Sequence, residues 1–200
     1  MKHINLANKT KYTGIILAGG RSSRMGKDKA LLKINGKTFI EILCETLTPF
    51  CTEIIISSDK ERTKAKNCRS VPDKIKNTGP AGGLYSSLSK SGNEKNIVVS
   101  VDTPFVSADL INFMTASDKK HLYALIVSEN SRMHPTTGIY SKKAVRIFEN
   151  EIINKNYKLM NIIEKMPNAK IEISGQVFYN SKILKNINTK EDYKELSELK

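Results

Sequence analysis

Short apolar runs alternate along this chain with segments of helical periodicity. The runs Ile54-Ile-Ile56 and Ile97-Val-Val99 are β-branched and unbroken, a pattern typical of strands that are covered on both faces. The pattern predicts strands at Gly14–Ala18, Glu53–Ser58, Asn96–Val101, Leu122–Ser128, Thr136–Tyr140, Ala169–Ile173 and Val177–Tyr179. It predicts helices at Phe39–Leu47, Ala81–Lys90, Ala108–Ser117, Lys142–Asn150, Lys158–Lys165 and Lys190–Leu199.

This alternation predicts an α/β fold with a doubly wound, mostly parallel Rossmann-like sheet and helices on both faces. The second half of the chain is less regular, and its segments Thr136–Tyr140 and Ala169–Tyr179 are predicted to form an antiparallel edge. No internal repeat or long linker interrupts the sequence. We therefore expect a single domain over residues 1–200, in which residues 1–12 form a loosely ordered N-terminal extension.

Composition narrows the classes of protein that the chain can belong to. It has 200 residues, of which 39% are hydrophobic and 26% charged, as in a globular protein with a proper core. No apolar run approaches the roughly 20 residues that cross a bilayer, and the polar start carries no apolar signal core. We expect a cytoplasmic protein without a membrane partner. Three cysteines without metal-ligand spacing predict neither a disulfide nor a zinc site.

The chain is strongly basic, with a formal net charge of +13 from 33 basic and 20 acidic residues. An anionic partner is one interpretation. A lysine-rich, solvated surface is the other, because the lysines are spread along the whole chain. Aromatic residues make up only 6%, Trp is absent, and no nucleic-acid-binding motif occurs, so we expect no nucleic-acid partner. Small phosphorylated substrates are the anions that remain.

The predicted strand Gly14–Ala18 opens into a loop of small and cationic residues. Gly19 and Gly20 would let backbone N–H groups approach phosphate oxygens, while Arg24 and Lys29 would neutralise phosphate charge. The loop has neither the spacing of the P-loop nor that of the dinucleotide-binding fingerprint. We interpret it as a site for a nucleotide triphosphate, with a basic surface loop as the alternative.

Two further strand ends carry residues that suit a phosphorylated ligand. Ligands of open parallel sheets bind beyond the carboxyl ends of the strands. Asp102 follows the strand Asn96–Val101, where a carboxylate can bind Mg²⁺ together with phosphate oxygens. Asp73 and the glycine-rich stretch Gly79-Pro-Ala-Gly-Gly83 lie between the other two strand ends. Each aspartate alone also fits a turn or helix cap, but the convergence of three strand ends favours a site.

Polar side chains in the second half are weaker candidates. His134 could contact substrate or could be a structural histidine. The amides of Asn186 and Asn188 could bind a polar ligand, although Asn188 or Thr189 also suits the cap of the last predicted helix.

The stretch Leu17-Ala-Gly-Gly-Arg-Ser-Ser-Arg-Met-Gly-Lys-Asp-Lys-Ala-Leu31 resembles the signature loop of the molybdenum cofactor guanylyltransferases, within the wider nucleotidyltransferase group. The resemblance continues in order through five further motifs and spans about Thr13 to Leu196. These motifs are Asp73, Gly79-Pro-Ala-Gly-Gly83, Asp102-Thr-Pro-Phe105, His134-Pro135 and Asn186-Ile-Asn-Thr189. An ordered series of this kind is more specific than any single match.

The resemblance implies a role for particular residues. The implied nucleotide-binding positions are Leu17, Ala18, Gly19, Gly20, Lys29, Asp73, Gly79, Pro80 and Asp102. The implied catalytic residues are Arg24, Lys29 and Asp102, of which Asp102 would bind the Mg²⁺ cofactor. The residues implied on the pterin side are His134, Asn186 and Asn188.

The implied reaction is the transfer of GMP from GTP to the terminal phosphate of molybdenum-molybdopterin, which releases pyrophosphate. The implied partners are these two substrates, together with other cofactor-biosynthesis proteins or acceptor apo-enzymes. A cytidylyltransferase is the nearest alternative, although Gly19 stands where the cytidylyl relatives tend to have alanine. A non-catalytic nucleotide-binding protein is the alternative from another class. Ser57 stands where the family often has asparagine, which puts a nucleotide contact there in doubt.

Overall fold

The computed structural model describes residues 11–19, 28–60 and 67–197. The strands in these ranges are β1 (Tyr12–Leu17), β2 (Lys33–Ile34), β3 (Lys37–Thr38), β4 (Cys51–Ser57), β5 (Cys68–Val71), β6 (Lys95–Ser100), β7 (Ala124–Glu129), β8 (Arg132–Ser141) and β9 (Asn168–Glu172). The α-helices are α1 (Phe39–Leu47), α2 (Gly79–Lys90), α3 (Ala108–Ser117), α4 (Val145–Ile153), α5 (Leu159–Ile163) and α6 (Lys190–Ser197). Short 3-10 turns lie at Lys29–Leu31 and Lys142–Ala144.

Seven strands form one sheet in the order β5-β4-β1-β6-β8-β7-β9. β1 pairs in parallel with β4 on one side and with β6 on the other. The chain therefore builds outward from β1 to β4 and β5, and then returns through α2 to start β6 on the opposite side of β1. This reversal creates a crevice beyond the carboxyl end of β1, the place where open α/β sheets bind ligands.

Helices cover both faces of this sheet, as predicted. Along β1, Ile16 packs into the core under α1 and α3, while Ile15 packs into the core under α2, α4 and α5. Ile54 and Ile56 of β4 alternate with Ile55 in the same way. Successive strand side chains point to opposite faces, so a run that is apolar at every position has both faces buried.

The first helix begins where its sequence predicts. Thr38 accepts a hydrogen bond from the backbone N–H of Glu41, and the Glu41 carboxylate accepts one in return from the N–H of Thr38. A hairpin of β2 and β3 leads into this cap and turns at Asn35 and Gly36, both with positive φ. An Asn-Gly pair is a strong sequence signal for a hairpin. This small sheet could therefore have been predicted from the sequence, but it was not.

The mostly parallel sheet is confirmed, and its second half contains the predicted antiparallel pairing. β8 is the antiparallel strand, since it runs against both β6 and β7. The segment Ala169–Ile173, however, runs parallel to β7 as the outermost strand β9. The prediction of a strand at Val177–Tyr179 was wrong, because these residues follow the turn at Ser174–Gly175 without pairing into a described strand.

Among the differences from the predicted elements, a missed strand and the start of one helix have local reasons. β5 was missed because its four residues include Arg69 and Ser70, so it lacks an apolar run. α2 begins at Gly79 rather than Ala81, since Pro80 suits the first turn of a helix, where its missing N–H costs nothing. Within the described ranges, none of the helices is long and apolar enough to cross a membrane.

Candidate active site

A cleft of about 700 Å³ opens at the crevice beyond the carboxyl end of β1. Its walls come from the ends of β1, β4 and β6, the loop after β5, the start of α2, one residue of β8 and the C-terminal segment. The lining residues are Leu17, Gly19, Ser57, Asp59, Asp73, Lys76, Asn77, Gly79, Pro80, Gly83, Ser100, Asp102, Thr136 and Asn186.

A serine–aspartate pair forms the wall between β4 and the loop after β5. Ser57 is 1% exposed, and its hydroxyl donates a hydrogen bond of 3.1 Å to Oδ1 of Asp73. A Cβ built on Gly83 would lie 2.5 Å from Ser57 Oγ and 3.4 Å from Asp73 Oδ1, so only glycine fits there without displacing the pair. Oδ2 of Asp73 faces the end of β1, because a Cβ on Gly19 would lie 3.7 Å from it. The pair thus presents one carboxylate oxygen toward the cleft.

The environment of Asp73 disfavours its negative charge. Burial raises the pKa of the Asp73 carboxyl above its ordinary value, and the nearby Asp59 carboxylate adds to this effect. The Ser57 hydrogen bond and the Lys76 ammonium act in the opposite direction and are outweighed. A ligand that donates hydrogen bonds to such a carboxylate stabilises its negative charge.

The start of α2 supplies the next part of the wall. Thr78 precedes the helix, but its hydroxyl donates to the carbonyl of Ile75, 2.8 Å away, and does not cap the helix. Gly79 has φ +59°, a conformation that residues with a side chain rarely adopt, and the space where its Cβ would lie is open. The first backbone N–H groups of α2 therefore border the cleft without a side-chain cap.

Asp102 and Lys29 meet at the end of β6. Lys29 lies in the 3-10 turn that Asp28 caps by accepting the N–H of Ala30 at 3.2 Å. Its Nζ lies 3.9 Å from Asp102 Oδ2, and the two side chains are 20% and 23% exposed. The Lys29 ammonium also donates a hydrogen bond to Oδ1 of Asn188. The two charges are thus close enough to attract each other, and both side chains remain partly exposed.

Most of the predicted site residues lie together at this cleft. Those that line it are Leu17, Gly19, Asp73, Gly79, Pro80, Asp102 and Asn186. Lys29 lies beside Asp102, and Asn188 contacts Lys29. Ala18 is at the same strand end, but its backbone N–H donates to the Ser57 carbonyl at 3.1 Å and is engaged within the fold. The predicted positions Gly20 and Arg24 lie outside the described residues.

His134 is not brought into the cleft. It lies on β8 opposite Val127 of β7, and its Nε2 is 3.6 Å from Oε2 of Glu129. Burial lowers the pKa of the His134 imidazole, although the Glu129 carboxylate opposes this shift. Within the described residues this buried Nε2 has no hydrogen-bond partner, and a contact of His134 with the substrate stays a prediction.

The cleft also includes residues that the sequence did not point to. These are Asp59, Lys76, Asn77, Ser100 and Thr136. Asp59 and Ser100 lie at the ends of predicted strands, so the rule that parallel sheets bind ligands at the carboxyl ends of strands could have found them, whereas Lys76 and Asn77 follow β5, which was not predicted. Thr136 could not have been found in this way, because the pairing of β7 with β8 shifts register beside it.

The donor set at Asp102 fits a magnesium ion that is shared with a nucleotide. Among the described residues, no group of three or more His, Cys, Asp or Glu side chains could hold a metal ion. A partly exposed carboxylate at the end of β6 can still supply one ligand, and phosphate oxygens and water supply the rest in typical nucleotide-bound Mg²⁺ sites. The residues present therefore suit a metal that arrives with its nucleotide.

The sheet with its reversal beside β1 and the carboxylates around the cleft define a nucleotide-binding α/β protein. The family model of the MobA-like NTP transferase domain matches residues 14–169, and the chain belongs to this family. The resemblance of its sequence motifs to the molybdenum cofactor guanylyltransferases is thereby confirmed.

Curated relatives and solved structures agree with this membership. A probable molybdenum cofactor guanylyltransferase of Clostridium perfringens strain 13 is 34% identical, over 93% of this chain and 96% of its own. Its counterpart from Flavobacterium johnsoniae is 30% identical, over 92% of this chain and 96% of its own. The crystal structure of molybdopterin-guanine dinucleotide biosynthesis protein A from Archaeoglobus fulgidus superposes with a TM-score of 0.78 at 23% identity, covering 94% and 97% of the two chains.

Proposed function

We propose that this protein transfers GMP from GTP to the terminal phosphate of molybdenum-molybdopterin, giving the guanine dinucleotide form of the cofactor and pyrophosphate. The observation that carries the proposal is the convergence of Asp73, the start of α2 and Asp102 on one cleft, with Lys29 3.9 Å from Asp102, in a chain of the MobA-like family. The relatives named as guanylyltransferases cover nearly the whole of this chain, which supports the same reaction here.

The reaction is an in-line displacement at the α-phosphorus of GTP. An oxygen of the molybdopterin phosphate forms a bond to that phosphorus, and the bond to the β-phosphate oxygen breaks. The electron pair of the broken bond leaves with pyrophosphate. Since the nucleophile is already ionised at neutral pH, the protein has to supply position and charge rather than a base.

Individual residues have separate tasks in this scheme. Lys29 neutralises phosphate charge at the end of the cleft where Asp102 lies. Asp73, held by Ser57, accepts hydrogen bonds from the guanosine portion. Gly79 allows the nucleotide to approach the start of α2 closely. Asp102 would hold Mg²⁺, which would supply positive charge to stabilise the charge that builds up on the leaving pyrophosphate.

We also propose Arg24 and Gly20 as contacts of the triphosphate. The signature motif alone supports this assignment. Asn186 lines the cleft and is the proposed contact on the pterin side. Other cofactor-biosynthesis proteins, acceptor apo-enzymes and a cytoplasmic location stay predictions from the sequence.

A thermal-shift panel of GTP, CTP, ATP and UTP with Mg²⁺ tests the choice of nucleotide. A ligand that binds only the folded state stabilises it by about 2.7 kcal/mol at a hundredfold excess over its Kd. GTP is therefore expected to raise the melting temperature most. Preferential stabilisation by CTP would replace the guanylyltransferase with a cytidylyltransferase, and binding of GTP without any transfer to molybdopterin would indicate a nucleotide-binding protein without catalysis.

The variant Asp102→Ala tests the chemistry. It is expected to lower turnover by on the order of 10²-fold or more, comparable to the removal of a charge-stabilising group in other enzymes. Asp109→Ala, at an exposed position in the first turn of α3, is the matched control and is expected to keep full turnover. Normal Mg²⁺-dependent turnover of Asp102→Ala would contradict the metal assignment.

A further inference from the structure

The C-terminal segment 186–189 runs past the end of β6 and is anchored there at Ile187. This side chain is fully buried in the core under α1 and α3, and its backbone N–H donates to the carbonyl of Asp102 at 2.8 Å. The asparagines on either side of Ile187 are both more exposed than it is. A residue 85 positions away in sequence from Asp102 therefore holds the backbone of the proposed metal ligand.

The two asparagines have different surroundings. Asn186 is exposed and lines the cleft. Asn188 is partly buried, and its Oδ1 accepts the hydrogen bond from Nζ of Lys29. The resemblance implied one role for both residues, on the pterin side, whereas their contacts place Asn188 next to the group that would neutralise the triphosphate.

The backbone at Asn188 is fixed independently of its side chain. Oδ2 of Asp192, in the first turn of α6, accepts the N–H groups of both Asn188 and Thr189 at 2.8 Å. These hydrogen bonds from N–H groups lower the pKa of the Asp192 carboxyl. α6 is in turn held by Tyr193, whose hydroxyl donates to the carbonyl of Lys33 at 2.8 Å. A change of the Asn188 side chain would leave this support intact.

An amide oxygen is well suited to hold a lysine that has to act on phosphate. The lysine side chain has a flexible four-carbon stem and loses considerable conformational freedom when it is held in one place. The Asp102 carboxylate lies 3.9 Å from this ammonium, beyond hydrogen-bond distance, so it attracts Lys29 without fixing its position. The neutral Oδ1 of Asn188 orients Lys29 and leaves the positive charge available to a triphosphate.

We infer that Asn188 is a positioning residue that holds Lys29 beside Asp102 for the phosphates of GTP, and that it is not a contact for the pterin. This inference rests on the proposed function, because it assigns Lys29 to the triphosphate. It separates Asn188 from Asn186, which keeps its proposed place on the pterin side of the cleft.

A double-mutant cycle of Lys29→Ala and Asn188→Ala tests the inference. The affinity for GTP in the presence of Mg²⁺ is measured by calorimetry. Lys29→Ala is expected to weaken GTP binding by about tenfold or more, and Asn188→Ala by about fivefold, as for loss of a typical intramolecular hydrogen bond. The double variant is expected to match Lys29→Ala within about twofold, because a residue that acts through Lys29 has nothing further to lose.

Steady-state kinetics separate the two asparagines. Asn188→Ala is expected to raise the KM for GTP and leave the KM for molybdopterin unchanged, while Asn186→Ala is expected to do the reverse. Asn161→Ala, at an exposed position on α5, is the control for both. The melting temperature of Asn188→Ala is expected to stay at the wild-type value, since the backbone contacts to Asp192 remain.

The outcomes distinguish this inference from the proposed function. If Lys29→Ala weakens GTP binding but Asn188→Ala has no effect, or an effect that adds fully to it, the inference fails and the proposed function stands. If Asn188→Ala raises the KM for molybdopterin alone, the pterin-side role is correct instead. If the wild-type protein does not bind GTP, or Lys29→Ala leaves binding unchanged, the assignment of Lys29 to GTP fails and the inference fails with it.

Discussion

The two ends of the parallel sheet use the same kinds of charged residue in opposite ways. At the amino end of β6, Nζ of Lys95 donates to Asp118 at 2.8 Å and to the carbonyls of Lys119 and Leu122 at 3.0 Å. Three acceptors use all three hydrogens of this ammonium, and the side chains of Lys95 and Asp118 are 8% and 6% exposed. The Lys95 ammonium therefore has no hydrogen left to donate to a ligand.

At the carboxyl end of the same strand, Lys29 and Asp102 are 3.9 Å apart and both partly exposed. Asp73 accepts the hydroxyl of Ser57 and directs its other oxygen toward the cleft. Lys29, Asp102 and Asp73 can therefore still interact with a ligand, whereas the groups at the amino end cannot. The pKa of the Asp73 carboxyl is raised mainly by burial, which is a frequent property of functional carboxylates.

Other groups at the amino end are committed in the same way. Burial, together with the Asp118 carboxylate, raises the pKa of Tyr12 to about 12. Glu53 accepts the hydroxyl of Thr13 at 2.9 Å and also the N–H of Gly92 and the guanidinium of Arg69. Burial opposes ionisation of Glu53, but these hydrogen bonds outweigh it and lower the pKa of its carboxyl. The comparison shows that saturation of hydrogen bonds, and not residue type, separates the amino end of the sheet from the end at the cleft.

The largest expected effect comes from breaking the saturated end. Lys95→Ala is expected to lower the free energy of unfolding by about 3–5 kcal/mol, because it leaves the Asp118 carboxylate buried without its partner. Denaturant titration measures the change. The exposed pair of Lys37 and Glu45 is the matched control, and Lys37→Ala is expected to cost at most about 1 kcal/mol. Equal losses in the two variants would mean that burial does not distinguish these pairs.

The next effect is expected from disturbing the Ser57–Asp73 pair. Gly83→Ala would place a Cβ 2.5 Å from Ser57 Oγ and is expected to destabilise the fold by about 1–3 kcal/mol and to weaken GTP binding. Gly175→Ala is the control, because nothing lies within 4 Å of its Cβ. Adding Ser57→Ala to Gly83→Ala removes the clashing oxygen and is expected to recover part of the stability but not the GTP affinity. Recovery of both would mean that the serine does not position Asp73.

The smallest expected effect is a gain in stability, from replacing Asp73. Because the pKa of Asp73 is raised in the folded state, the folded protein binds this proton more tightly than the unfolded chain does. The contribution of Asp73 to stability therefore falls as the pH rises from the ordinary aspartate range through the raised pKa. Asp73→Asn removes this loss and is expected to raise the melting temperature at pH 7 slightly while weakening GTP binding.

The pH dependence of GTP binding checks the same residue. Wild-type affinity is expected to decline as the pH falls through the raised pKa of Asp73, where Asp59 and Lys76 are the neighbouring charges. Asp73→Asn is expected to flatten this limb of the profile. A variant that melts lower than the wild type and keeps its acid limb would show that Asp73 supports the fold rather than the ligand.

Elements with a strong local pattern were predictable from the sequence. α1 and α3 begin and end at the predicted residues, since Thr38 and Ser107 cap amphipathic segments there. β5 was missed because a short strand with polar residues depends on its neighbour β4 for pairing. Asp102 was a candidate because it follows a predicted strand, and Asp73 and the glycines of α2 were candidates because they lie between two predicted strand ends.

By itself, the sequence determined that this chain folds as a mostly parallel sheet covered on both faces, and which residues stand at the strand ends. Hydrophobic periodicity and turn residues act over a few positions, so they can be read locally. Only the tertiary structure decided that Ser57 holds Asp73 and that Asn188 holds Lys29, 159 positions away. These pairings depend on strand order, register and the path of the C-terminal segment, which are set by packing of the whole core rather than by any local stretch.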